Sequence, residues 1–150
     1  MSFKEQLETD LKNSLKSGDQ FKVGVLRLLA AAMHNKEIEN RSKTGTADLS
    51  AEQIIQLLST EAKKRHEAME IFGTGKRQDL QDKERRELEI IQGYLPKQLS
   101  REETEKLVHE IVKRAGAQEF GQTMKMVMKE LRGKVDAKFV GAVVKKLLSQ

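Results

Sequence analysis

Apolar residues recur every three or four positions along almost the whole of this 150-residue chain, and a single proline, Pro96, interrupts them. That spacing marks amphipathic helices, and no strand-rich segment competes with it. Leu7, Leu11 and Leu15 form a first stripe, which Gly18 can end. Asp19 is placed to cap a second helix carrying Phe21, Val25, Leu28, Leu29, Ala32 and Met33, expected to run to about Asn40. Ser42 to Asp48 reads as an exposed loop. Ser50 with Gln53 makes a capping box for a third helix, with Ile54, Leu57, Leu58, Ala62, Met69 and Phe72 on its stripe and a stop near Gly73 and Gly75. A fourth helix spans Gln78 to Gly93 through Leu80, Leu88 and Ile91.

Tyr94-Leu95-Pro96 then breaks the pattern. Proline disfavours a helical conformation at the residue before it, and Gly93 is a natural stop. Beyond it, Ser100 with Glu103 is another capping box, opening a fifth helix through Leu107, Val108, Ile111 and Val112 to Gly116. A sixth runs from Phe120 or Gly121 to Arg132, with Met124, Val127, Met128 and Leu131 inward and Gly133 as its stop. Asp136 caps a seventh, apolar at Phe139, Val140, Val143, Val144, Leu147 and Leu148. The expected fold is all-α: a four-helix bundle over 1–95, then a smaller three-helix bundle over 96–150.

Charge divides at the same place. Residues 1–95 hold 16 basic and 16 acidic side chains, whereas residues 96–150 hold 12 and 7, so the whole net charge of +5 lies after the break. A local positive excess favours anionic partners, although a solvated basic face would read the same way. The candidate contacts are Lys125, Lys129, Arg132, Lys134 and Lys138, with Lys145 and Lys146 as outer contributors. The aromatics do not interleave with these positions, so the expected ligand is a phosphate backbone rather than a stack of bases.

Signals for catalysis are weak. Cysteine is absent, which excludes disulfides and thiolate chemistry. His66-Glu67 and His109-Glu110 each lack the second histidine of a helical zinc motif, and His34 stands alone. Gly73-Thr74-Gly75-Lys76 has Glu70 where a phosphate loop needs its first glycine and Arg77 where it needs Ser or Thr, so it reads as a helix stop. No catalytic residue, metal or cofactor is expected. Glu61, Lys64 and Arg65 share one helix face beside the apolar stripe, either as a solvated lattice or as an interfacial ion pair. No apolar run reaches the roughly 20 residues of a membrane helix. A cytoplasmic location is expected, with no membrane partner and the oligomeric state open.

Glu61-Ala62-Lys63-Lys64-Arg65, Asp79-Leu80, Glu84, Glu87-Leu88 and Tyr94-Leu95-Pro96-Lys97-Gln98-Leu99 together resemble the GatB/YqeY family, as does Gly121 to Asp136. The resemblance implies a four-helix bundle followed by a three-helix bundle. It also implies kinship with the tail of the B subunit of tRNA-dependent amidotransferase, a tRNA-binding appendage to an enzyme that uses glutamine as amide donor. This chain is similar to that tail alone. Gln122, Lys125 and Ala137 depart from the family's Lys, Gly and Gly, which moves any lysine contact toward Lys125. The expected function is a non-catalytic tRNA-binding or amidotransferase-related accessory module, with tRNA and amidotransferase or tRNA-synthetase proteins as partners. The alternatives are a protein-interaction adaptor anchored by Tyr94 or an exposed Met126, and a carbon–nitrogen ligase with glutamine as amido-N-donor.

Overall fold

Most helix ends in the computed structural model, which describes residues 1–116 and 119–149, trace to a cap or a glycine in the sequence. The helices are α1 (Phe3–Ser17), α2 (Gln20–Thr44), α3 (Ala51–Thr74), α4 (Gln78–Gln92), α5 (Arg101–Ala115), α6 (Phe120–Leu131) and α7 (Ala137–Leu148). Among the described residues there is no strand, and no helix is long and apolar enough to cross a membrane. The fold is all-α, as expected.

Ser50 and Ser100 each accept a backbone N–H three residues on, and Gln53 and Glu103 reach back to the cap's own N–H. Ser2 and Glu5 form a further capping box at the start of α1. Asp19 and Asp136 accept from Lys22 and Lys138. Gly18 and Gly45 close α1 and α2 in the left-handed region, at φ 77° and 82°, where a side chain would be strained.

The chain divides into two compact units, Met1–Tyr94 and Leu95–Gln150. In the first, α1 packs along α2 and α3 along α4, and α2 also meets both α3 and α4. Its core includes Leu7, Leu26, Leu29, Leu58, Leu88 and Ile91. Burying each such side chain contributes about 1.5–3 kcal/mol relative to leaving it in water.

Several positions differ from expectation. Leu15 is 53% exposed, and Ser14 takes the inward place. Strict four-residue spacing drifts around a helix of 3.6 residues per turn, so Leu7, Leu11 and Ser14 track the core better than Leu7, Leu11 and Leu15. Helix α2 passes Asn40 and continues to Thr44. Asn40 does not stop it because its amide is turned inward, donating to the Asp48 carbonyl and to Gln53 at 3.0 Å each. Leu28 is partly exposed, while Val23 and Leu26 are buried instead. Gly93 does stop α4 as expected, in an ordinary right-handed conformation.

In the second unit α5, α6 and α7 each touch the other two. Val108, Ile111, Val127, Leu131, Val140, Val143 and Val144 form the core. The stretch leading into α5 is tied down within this unit. The Leu99 N–H donates to the Lys134 carbonyl at 2.8 Å, and the Gln98 amide donates to the Gly133 carbonyl at 2.6 Å. Gly133 presents that carbonyl from a left-handed conformation, φ 81°.

Candidate nucleic-acid interface

The second unit builds its basic surface on two short helices and the turn between them. Lys125 and Lys129 lie on α6, Arg132 is its C-cap, and Lys134 is in the turn. Lys138 opens α7, and Lys145 and Lys146 lie in its last turn. All seven are exposed. Their backbones are fixed from beneath: Thr123, Val127 and Leu131 anchor α6, and Val140, Val143 and Val144 anchor α7. Cations in the last turn of a helix also favour the helix itself, by about 0.3–1 kcal/mol each.

Neighbouring contacts sort the seven. A Cβ built on Gly141 would lie 3.9 Å from both Met124 Cε and Phe120 Cζ, so the Gly141 side of α7 faces α6. Lys138 and Lys145 stand three and four positions from Gly141 and border the same seam. On α6, Lys125 follows Met124, and Arg132 caps the helix in a non-helical conformation. On the opposite flank of α6, Glu130 pairs with Arg114 of α5 at 2.8 Å. Lys146 shares a face with Phe139, whose ring lies 5.2 Å from the Arg101 guanidinium at the start of α5. Two of the seven cations, Lys138 and Lys145, therefore share the α7 side of this seam. Lys129 is exposed on α6, Lys134 sits in the turn, and Lys146 shares its face with Phe139.

The two acids of this stretch are already engaged. Glu130 serves Arg114, and Asp136 accepts the Lys138 backbone N–H at 3.0 Å as the cap of α7.

A family model described as Yqey-like protein matches residues 4–148. The chain belongs to this family. It is also 29% identical over 150 residues, covering 95% of this chain and 79% of the relative, to "Altered inheritance of mitochondria protein 41, mitochondrial" of Pyrenophora tritici-repentis.

Four charged residues of the first unit, all from stretches that carry the family resemblance, meet in space. Glu61, Arg65, Glu84 and Glu87 line the contact between α3 and α4. Arg65 Nη1 lies 2.8 Å from Glu87 Oε2 and 3.3 Å from Glu84 Oε2, and Lys64 Nζ lies 3.1 Å from Glu61. The Arg65 side chain is 19% exposed and both glutamates 14%, so the expected alternatives resolve to an interfacial cluster at this contact. Burial pushes the Glu84 carboxyl above its usual value; Arg65 pulls it back and Glu87 adds to the rise. Two carboxylates on one guanidinium make a clasp between helices. Reading α3 alone could not reveal its partners.

Other positions correct the sequence reading. Met126 is half-buried rather than exposed. Tyr94 is half-buried, donates to Asp10 Oδ2 at 2.5 Å and meets the Phe3 ring edge-on at 5.8 Å. Its burial and the Asp10 carboxylate hold the phenol above its usual pKa. Tyr94, one anchor of the adaptor alternative, is thus engaged within its own unit. His34, His66 and His109 are exposed. Phe120, which the sequence offered only as a helix-end aromatic, is 47% exposed beside the lysine-lined seam.

Proposed function

We propose that this Yqey-like chain is a non-catalytic tRNA-binding module serving amidotransferase-type machinery. In this reading a four-helix bundle over 1–95 carries a three-helix basic bundle over 96–150, and Lys125, Lys129, Arg132, Lys134, Lys138, Lys145 and Lys146 contact RNA phosphates. One observation carries it: the whole positive excess falls in the second unit, on exposed side chains whose two neighbouring acids are engaged elsewhere. Fixed cations on a rigid support attract a polyanion, and family membership makes tRNA the polyanion to test first. The proposed compartment is the cytoplasm; the fungal relative's name places that protein in mitochondria.

Binding of unfractionated tRNA by the purified chain tests the reading. Tighter binding of tRNA than of random RNA duplex is expected, with weakening in Lys129→Ala and Lys134→Ala. Equal affinity for both ligands, or full affinity in both variants, contradicts it. Glutamine- and ATP-dependent amidation by the purified chain would establish the ligase alternative instead.

A further inference from the structure

Phe120 is a large apolar ring at the edge of a strongly basic surface, and 47% of it is open to solvent. A lone exposed ring is ordinary on a protein surface, so what singles this one out is its setting. Its surroundings are specific. The ring tip and the Met124 methyl both approach Gly141, each 3.9 Å from the point a Cβ there would occupy. Because residue 141 is glycine, the ring rests beside bare backbone. Lys138 and Lys145 stand on the same face of α7, about 4.5 Å and 6 Å along the axis from Gly141 at 1.5 Å rise per residue. The exposed aromatic thus shares the Gly141 side of α7 with two exposed cations, on a helix anchored by Val140, Val143 and Val144.

We infer that Phe120 is a stacking platform for an unpaired nucleobase, with the phosphates on either side of that base held by Lys138 and Lys145. The inference rests on the tRNA-binding reading and narrows it: the surface grips RNA where a base is unstacked, not along a continuous duplex. Every base offers a π-face, so stacking is indifferent to sequence, and the two lysines supply the electrostatic part. This revises the expectation of a purely phosphate-reading surface.

The chain contains no tryptophan, so Phe120→Trp places a single indole reporter at the platform. The expected results with unfractionated tRNA are quenching of that fluorescence on binding and retention of affinity in Phe120→Trp. In Phe120→Leu, the loss should be about 5- to 100-fold, with an unchanged salt dependence. On a blunt RNA duplex Phe120→Leu should cost nothing. The helix content of both variants, followed by circular dichroism, should match the parent.

Indole fluorescence that stays constant while tRNA binds, or an equal loss on tRNA and blunt duplex in Phe120→Leu, overturns the inference and leaves the tRNA reading standing. Failure of the unsubstituted chain to bind tRNA at all overturns both.

Discussion

Arg65 is the side chain on which the α3–α4 contact turns. Its guanidinium serves Glu84 and Glu87 together, and its Nε and one Glu84 oxygen are buried without a hydrogen-bond partner. Removing the cation leaves part-buried carboxylates uncompensated, which costs more than the pair itself contributes. Arg65→Ala should therefore destabilise the first unit by about 2 kcal/mol or more, as read by urea denaturation; a change below about 0.5 kcal/mol would contradict the clasp. Glu84 supplies a pH test. Its folded-state pKa lies above the ordinary 4.5, so the folded form holds that proton more tightly than the unfolded chain does. The associated stability is present below the ordinary value and is lost as pH rises through the folded one. Glu84→Gln abolishes this dependence, so its melting temperature relative to the parent should be higher at pH 7 than at pH 4. The same difference at both pH values would show that Glu84 titrates normally. Tyr94→Phe removes the bond to Asp10 while keeping the ring against Phe3, and should cost about 1–2 kcal/mol in the same denaturation measurement.

At the scale of elements, local chemistry was the most legible part of the chain. Ser50 with Gln53, Ser100 with Glu103, and Asp19 and Asp136 act where their spacing placed them, because a cap is decided within one helical turn. Ends that depend on longer-range partners were less legible: α2 outruns Asn40 because Asn40 finds Asp48 and Gln53 across the following turn. Positions on an all-apolar face were also ambiguous. Val23 and Leu26 are buried and Leu28 is partly exposed because packing against α1, α3 and α4, not periodicity, chooses among them. Gly133 joins these scales, since its left-handed backbone aims a carbonyl at Gln98. Gly133→Ala should cost about 1–2 kcal/mol in the second unit, with no such loss for Gly24→Ala, which has open space around it and an ordinary helical backbone. Equal effects of the two in thermal melts would remove the special role assigned to Gly133.

Across the whole molecule, the charge division was legible from counting alone, and the structure adds where the cations stand. Lys138 and Lys145 share the Gly141 face of α7 at the α6–α7 seam, whereas Lys146 shares a face with Phe139. A linear sequence could not sort them, because the sorting depends on which flank of α6 faces α5 through Glu130 and Arg114, and which face of α7 holds Gly141. Phe120 was missed for the same reason: its meaning comes from lysines that follow it by a full helix and turn. The central claim, that this surface binds tRNA through its phosphates, is tested most directly by the salt dependence of tRNA affinity. If about four phosphates are neutralised, the logarithm of the association constant should fall with the logarithm of salt concentration at a slope of roughly −3 to −4. A slope near zero, or no measurable tRNA binding at low salt, would contradict the account.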